Sequence, residues 1–144
     1  MKVKDILERK GRSVHYVHAS DTVAVLCHRL RMDRVGALIV SDDGRELQGI
    51  VSERDVVACI AAHGGEGASV RVSEIMSARV VTCDEDDKIS KVARQMSEHR
   101  FRHMPVMKNG ALTGIVSIGD IVKDRIEEVE LEADVLRDMA MAVH

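Results

Sequence analysis

Apolar residues recur at helical spacing in two parts of the chain. Three of them follow Asp21 at three- and four-residue steps, and three more follow Asp87 in the same way. These positions are Val23, Leu26 and Leu30 in the first set and Ile89, Val92 and Met96 in the second. Positions spaced in this way lie on one face of an α-helix, and an Asp just before them is a common helix start signal. The pattern therefore predicts one amphipathic helix in each half of the chain.

Short apolar runs after these helices predict β-strands. The runs "ALIV" (37–40) and "MPVM" (104–107) each lead to a turn signal, Asp43-Gly44 or Asn109-Gly110, and then to a second run, "LQGIV" or "LTGIV". Asp-Gly and Asn-Gly between apolar runs favour hairpins. Brief strands are also predicted at 14–17 and 80–83. Because the runs are almost continuously apolar, they predict an α/β fold in which helices cover a sheet, and not an all-β sandwich.

These elements occur twice because the chain contains an internal repeat with an offset of about 65 residues. "LQGIVSERDVV" (47–57) aligns with "LTGIVSIGDIV" (112–122) with seven identities in eleven positions. The leading pieces "VKDIL" (3–7) and "VSEIM" (72–76) also match, and both predict a short helical turn. Two β-α-β-β-α repeats related by a pseudo-twofold axis would bury both faces of their sheets and leave two clefts. We expect repeat 1 at 1–66, repeat 2 at 67–127 and a helical extension at 128–144, with the glycine-rich "HGGEGAS" (63–69) as the connection.

The C-terminal part predicts one long helix, because neither Pro nor Gly occurs after Gly119. Its apolar stripe consists of Val122, Ile126, Val129, Ala133, Leu136 and Met139. Such a helix can fold back on its own domain or pair with a second subunit. Its length beyond the repeat favours the second alternative, and we expect a homodimer.

Composition and charge narrow the range of functions. The 144 residues include only two aromatic residues, Tyr16 and Phe101, so the core must be aliphatic. A net charge of -3 and a pI of about 6.2 argue against nucleic-acid binding. The three cysteines form no CxxC pair, and no apolar run is long enough for a signal peptide or a membrane span. We therefore expect a soluble cytoplasmic protein with reduced thiols and without membrane or nucleic-acid partners.

The repeated Gly-apolar-apolar-Ser-x-x-Asp stretch carries most of the candidate chemistry. Ser52 and Asp55 in one copy, and Ser117 and Asp120 in the other, have the spacing of a helix capping box, which alone could explain both copies. The alternative is a ligand site. A helix start with a hydroxyl suits a phosphate, and a carboxylate one turn further can accept both vicinal hydroxyls of a ribose. Together they describe a site for a nucleoside phosphate.

The glycines of this stretch have the same two interpretations. Gly49 and Gly114 leave room for a ligand beside the backbone, or they relieve crowding between strands. The paired aspartates lie one per repeat, and the sequence contains no nucleophile–base pair, so catalysis is not expected. His99 and His103 lack carboxylate or thiolate partners at usable spacing, so no metal is expected either.

The ordered elements and both copies of the motif resemble a tandem pair of CBS domains over residues 1–127. The resemblance implies an adenine-nucleotide sensor that acts through a ligand-dependent change of conformation or assembly on an effector protein that the sequence does not identify. Its ligands would be AMP, ADP or ATP, with NAD or S-adenosylmethionine as further candidates, and no metal would be required. A protein-interaction regulator of a redox or metabolic enzyme is the alternative function.

The resemblance also implies roles for individual residues. Asp55 and Asp120 would bind the ribose, with Ser52 and Ser117 near ribose or phosphate. The preceding residue would face the phosphate, and it differs between the copies, Arg54 in one and Gly119 in the other, so the two clefts are not expected to be equivalent. The remaining predicted site residues are the phosphate contacts Arg102 and His103, Ala37 at the corresponding position of repeat 1, the adenine neighbours Val14 and Val80, and the motif positions Gly49, Gly114, Ile50 and Ile115.

Overall fold

The computed structural model describes residues 1–142, so Val143 and His144, the end of the predicted extension, lie outside the described residues. The described helices are α1 Val3–Lys10, α2 Val23–Asp33, α3 Glu53–His63, α4 Val72–Ile75, α5 Ile89–His99 and α6 Ile118–Ala142. The strands are β1 Tyr16–Val17, β2 Ala37–Val40, β3 Gly49–Ser52, β4 Cys83–Asp84, β5 His103–Lys108 and β6 Ala111–Ser117. A 3-10 helix, Gly64–Ser69, lies within the predicted glycine-rich connection.

The strands form two three-stranded sheets with the same topology, β1-β2-β3 and β4-β5-β6. In each sheet the first strand is parallel to the second, and the second is antiparallel to the third. The equivalent hairpins pair Ile39 with Ile50 in the first sheet and Pro105 with Ile115 in the second. The α/β class, the two repeats and the long C-terminal helix are confirmed.

The two hairpins differ in their turns. Asn109 and Gly110 have positive φ values of 53° and 79° and connect β5 to β6 directly, as expected for a two-residue turn. In the first repeat, residues 41–48 form a longer loop. Asp43 accepts hydrogen bonds from the backbone N–H groups of Arg45 and Glu46, at 2.8 and 2.9 Å, and thereby stabilises the wider loop.

The leading helix of each repeat packs in the core of the other repeat. Val3, Ile6 and Leu7 of α1 lie in one core cluster with residues of α5, β5 and β6. Val72 of α4 lies in the second cluster with residues of α2, β2 and β3. Backbone hydrogen bonds support the exchange, since the Val3 N–H donates to the Asp87 carbonyl at 2.9 Å and the Val72 N–H donates to the Asp21 carbonyl at 2.8 Å. The exchange is reciprocal, as a pseudo-twofold axis requires.

The first strand of each repeat is shorter than the sequence predicted. The predictions at 14–17 and 80–83 are wrong in extent, because β1 covers only Tyr16–Val17 and β4 only Cys83–Asp84. Each of these strands pairs with its neighbour at two positions. Val14 and Val80 therefore lie in irregular backbone that precedes the strands.

Helix α6 is one continuous helix, as predicted, and only its first part is buried. Ile121 and Asp124 are buried, whereas every residue from 129 to 142 is exposed. The predicted apolar stripe is largely uncovered, with Val122, Ile126, Val129, Leu136 and Met139 between 49% and 66% exposed. Of the helices in the described part of the chain, none combines the length and hydropathy needed to cross a bilayer.

Candidate ligand-binding site

A cavity of about 340 Å³ lies beside the junction of β3 and α3 and is lined by residues of both repeats. Repeat 1 contributes the junction itself and the start of β2. Repeat 2 contributes the segment after α4 and the segment between α5 and β5. The lining residues are Gly36, Ala37, Ile50, Ser52, Glu53, Arg54, Asp55, Ser77, Arg79, Val80, Val81, Arg100, Phe101, Arg102 and His103.

Asp55 is half-buried at one wall of this cavity, in the first turn of α3. Ser52 is the N-cap residue, and its backbone N–H donates to Asp55 Oδ2 at 2.8 Å. The Ser52 hydroxyl donates to the same oxygen at 3.2 Å. Asp55 Oδ1 accepts no hydrogen bond from the described residues, so the capping interaction uses only one of the two carboxylate oxygens. The other oxygen remains available to a hydroxyl donor in the cavity.

Four arginines line the same cavity, namely Arg54, Arg79, Arg100 and Arg102. Within residues 1–142 none of them forms an ion pair. The lining contains two acidic residues, Glu53 and Asp55. Because cations outnumber carboxylates, the cavity has an excess of positive charge, and guanidinium groups bind phosphate with two parallel hydrogen bonds.

His103 begins β5 and lines the cavity beside Gly36, where an added Cβ would lie 3.7 Å from His103 Cε1. Burial lowers the pKa of His103 below its usual value, and the nearby positive charges of Lys10 and Arg102 lower it further. The carboxylates of Asp120 and Glu53 act in the opposite direction but do not outweigh these effects. The imidazole is therefore neutral at pH 7 and can act as both donor and acceptor.

At the corresponding junction of repeat 2, the motif carboxylate is paired with a lysine. Ser117 and Asp120 form a reciprocal cap, in which the Ser117 N–H donates to Asp120 Oδ2 at 2.9 Å and the Asp120 N–H donates to the Ser117 hydroxyl at 3.1 Å. Lys10 Nζ donates to the same Oδ2 at 2.7 Å and to the Ile115 carbonyl at 3.0 Å. Partial burial acts to raise the pKa of Asp120, but the hydrogen bonds from Lys10 and Ser117 outweigh it, so the pKa lies below its usual value.

The other cations at the end of α1 are also paired. Arg9 contacts Asp124 at 3.1 Å and Glu127 at 2.6 Å, and Arg12 contacts Glu85 at 3.0 Å. The Asp120 carboxylate is thus neutralised from within the chain, whereas the Asp55 junction faces arginines that have no ion-pair partner in the described part of the chain. The two junctions share a motif but differ in charge.

The motif glycines do not line the cavity and are explained by close packing between the repeats. A Cβ at Gly49 would lie 2.8 Å from the Ser77 carbonyl oxygen. A Cβ at Gly114 would lie 2.7 Å from Leu7 Cδ2. Of the two interpretations offered by the sequence, these contacts support relief of crowding.

The structure brings about half of the predicted site residues together. Those that line the cavity are Ala37, Ile50, Ser52, Arg54, Asp55, Val80, Arg102 and His103. The others are absent from its lining, and they are Val14, Gly49, Gly114, Ile115, Ser117, Gly119 and Asp120. The sequence predictions did not include Arg79 or Arg100, which also line the cavity. The alignment of 3–7 with 72–76 could have drawn attention to Arg79, because it places this cation opposite another cation, Lys10. Arg100, the left-handed residue that ends α5, likewise has an equivalent in Arg34, which ends α2 in the same conformation.

No group of three or more His, Cys, Asp and Glu side chains within residues 1–142 is arranged to bind a metal ion. His99, considered above as half of a metal pair, instead stacks on Phe101 with ring centroids 5.5 Å apart. The stacking orients Phe101, which lines the cavity.

Comparison with known proteins identifies the fold. The CBS domain family model matches residues 3–62 and 72–127. The crystal structure of the CBS-domain containing protein ATU1752 from Agrobacterium tumefaciens is 38% identical, has a TM-score of 0.83 and covers 87% of this chain and 99% of its own. The CBS domain pair of MJ0100, solved in complex with 5'-methylthioadenosine and S-adenosyl-L-methionine, is 26% identical, with a TM-score of 0.76 and coverage of 85% and 98%.

A curated relative extends beyond this chain. CBS domain-containing protein CBSX3, mitochondrial, from Arabidopsis thaliana is 31% identical over 134 residues. The alignment includes 88% of this chain but 65% of that relative, less than two thirds of its length. The family model, the structures and this relative agree on the same paired architecture, and the chain therefore belongs to the CBS domain family, as a pair of tandem repeats.

Proposed function

We propose that this regulatory CBS-domain pair binds a phosphorylated adenosine ligand, AMP, ADP, ATP or NAD, in the cavity beside Asp55. The proposal is carried by a cavity lined by four arginines that form no ion pair within residues 1–142 and by Asp55, whose Oδ1 accepts no hydrogen bond from those residues. Cationic side chains at this density suit a phosphate chain, and the free carboxylate oxygen suits a ribose. No metal is needed in this proposal, because the arginines supply the positive charge.

The same cavity offers the adenine ring a surface of aliphatic side chains. Ile50, Val80 and Val81 provide apolar surface, and Ala37 lies at the start of β2. Aliphatic side chains that contact the ring, together with backbone hydrogen bonds, can bind a purine without aromatic stacking. The adenosine compounds named in the MJ0100 complex support an adenosine ligand.

S-adenosylmethionine is the second candidate, supported by the MJ0100 complex alone. It carries a sulfonium cation and no phosphate. Four arginines beside the ligand disfavour that charge, and they favour the phosphorylated adenosines.

We propose that ligand binding changes how firmly the two repeats are held together. Asp55 and Arg54 belong to repeat 1, whereas Arg79, Arg100 and Arg102 belong to repeat 2. A ligand that contacts both sets stabilises the arrangement in which they face one cavity. The module has no catalytic role in this proposal, and its output passes to an effector protein, with a redox or metabolic enzyme as one candidate.

The uncovered face of α6 supports a homodimer. The apolar stripe extends past the part of α6 that packs on the domain, and a second copy of the same helix would cover it. We also propose a cytoplasmic location, because Cys27, Cys59 and Cys83 are all unpaired.

Isothermal titration with AMP, ADP, ATP, NAD, S-adenosylmethionine and 5'-methylthioadenosine tests the ligand. Asp55→Asn keeps an acceptor for the Ser52 N–H and removes the charge, so we expect unchanged folding and about tenfold weaker binding of the phosphorylated ligands. Asp138→Asn, an exposed position on α6, is the matched control and should bind normally. Equal affinities for wild type and Asp55→Asn, or no binding of the panel at millimolar concentration, would refute the proposal.

A further inference from the structure

The motif that forms the Asp55 cavity is repeated at Asp120, yet the two junctions present different chemistry. We propose that Lys10 acts as an internal competitor that keeps the Asp120 junction from binding nucleotide, so that the chain has one high-affinity site instead of two. This inference rests on the proposed function of the Asp55 cavity.

Lys10 contacts the groups that a ligand would need. Its ammonium donates to Asp120 Oδ2 at 2.7 Å and to the Ile115 carbonyl oxygen at 3.0 Å. Asp120 Oδ2 also accepts the Ser117 N–H. Among the described residues Asp120 Oδ1 accepts no hydrogen bond, as is also true of Asp55 Oδ1. A ribose hydroxyl at Asp120 would therefore lie beside the Lys10 ammonium, or displace it to reach Oδ2, whereas at Asp55 no cation is bound to the carboxylate.

The internal repeat supplies the matching position in the other half. Aligning 3–7 with 72–76 places Arg79 opposite Lys10. Arg79 lines the Asp55 cavity, but it forms no ion pair with Asp55 or with another carboxylate among the described residues. Equivalent cations thus have different partners, one bound to the motif carboxylate and one open to the cavity.

Helix length accounts for this difference. α1 extends to Lys10, so Lys10 occupies the last turn of a regular helix. α4 ends at Ile75, and Arg79 lies beyond it in irregular backbone. α1 is also held by Arg9, whose guanidinium pairs with Asp124 and Glu127 of α6. Lys10 is therefore presented to Asp120 by a helix, while Arg79 follows a non-helical segment that is hydrogen-bonded to β3 through Ser77.

The charge around Asp120 leads to the same conclusion. Arg9, Lys10 and Arg12 all pair with carboxylates of the chain, so none of them is free to bind a phosphate. The Lys10–Asp120 pair is partly exposed, so water and salt weaken it and a ligand can displace it at high concentration. We expect affinity at this junction about tenfold or more below that of the Asp55 cavity.

Equilibrium dialysis with radiolabelled ATP tests the inference through stoichiometry. We expect one tightly bound equivalent per wild-type chain and two for Lys10→Met, which removes the ammonium and keeps the length of the side chain. Lys10→Gln is a second variant with a polar side chain, and circular dichroism verifies that both are folded. Lys10→Met combined with Asp120→Asn should return to one equivalent.

Arg79→Met is the matched control from the other repeat. It removes a cavity cation and should weaken the single site without adding a second. One equivalent for both Lys10 variants, or two equal sites in the wild type, would overturn the inference and leave the proposed function intact. Weaker ATP binding by the Lys10 variants would make Lys10 a ligand contact, which also overturns it. Absence of binding to every protein, by ATP and by the AMP, ADP and NAD of the titration panel, would refute both proposals.

Discussion

The carbonyl oxygen of Ser77 lies so close to Gly49 that a Cβ on this glycine would approach it to 2.8 Å. The two residues belong to different repeats. The same segment is hydrogen-bonded to β3, because the Ile50 N–H donates to the Ser77 carbonyl at 3.0 Å and the Ser77 N–H donates to the Ile50 carbonyl at 2.9 Å. The segment that follows α4 is thus hydrogen-bonded to repeat 1 at Ser77, the residue at which this segment begins to line the cavity.

We predict that Gly49→Ala destabilises the protein by about 1–3 kcal/mol, because the added methyl group overlaps a hydrogen-bonded carbonyl that cannot move freely. Urea denaturation measures the free energy of unfolding. Gly65→Ala is the matched control, since a Cβ at Gly65 meets nothing within 4 Å. If Gly49→Ala and the control have equal free energies of unfolding, the segment around Ser77 shifts at little energetic cost and the prediction is wrong.

Leu7→Ala tests the exchange of the leading helices. Leu7 is fully buried in the core formed by α5, β5 and β6, so we expect a loss of about 2–5 kcal/mol in the free energy of unfolding. Hydrogen exchange should show the larger loss of protection in β5 and β6, which belong to the other repeat. Glu8→Ala, exposed on the same helix, should change little. Greater loss of protection in β2 and β3 would contradict the exchange.

The lowered pKa of His103 predicts a pH-dependent stability. Because burial and nearby cations keep the folded-state imidazole neutral, the unfolded chain takes up a proton at a higher pH than the folded protein. The free energy of unfolding should therefore fall as the pH drops from about 6.5 towards the folded-state pKa. His103→Gln should remove this part of the fall. Urea denaturation of both proteins at several pH values between 5 and 8 measures the difference, and parallel pH profiles would disprove it.

Replacing either of two leucines on α6 by glutamate tests the homodimer. Leu136 belongs to the apolar stripe and is 66% exposed, whereas Leu131 is 64% exposed and lies about 140° away around the helix. We predict that Leu136→Glu produces monomers and that Leu131→Glu leaves the dimer intact, because only the first places a charge in the proposed contact. Analytical ultracentrifugation over a range of concentrations gives the mass. A monomeric wild type, or equal effects of both variants, would refute the proposed geometry.

The periodic elements of this fold could be predicted from the sequence, but their partners could not. The spacing in α2 and α5 and the absence of Pro and Gly after Gly119 indicated these helices correctly. The stripe of Val3, Ile6 and Leu7 showed that α1 has a buried face. Local spacing does not specify which repeat covers that face, and the exchange became visible only in three dimensions.

The cavity residues that belong to the repeated motif could be selected from the sequence. Ser52 and Asp55 were selected from the repeated strand-to-helix stretch, and both line the cavity. Their role in ligand binding stays a prediction. Arg79 and Arg100 lie in connecting segments without periodicity. The internal repeat gives them Lys10 and Arg34 as counterparts, but it does not indicate that either arginine faces a cavity. The Lys10–Asp120 pair joins residues 110 positions apart, and a single sequence contains no signal for a contact at that distance.

The reciprocal placement of α1 and α4 has a consequence for the origin of such a chain. Each half contributes a leading helix that packs in the core of the other half. Two identical halves on separate polypeptides could therefore exchange these helices in the same way. A gene that encoded one half would then yield a symmetric pair, and joining two copies of that gene would preserve every contact. Later divergence of the copies would leave one junction free for a small molecule and the other filled by a side chain of the protein itself.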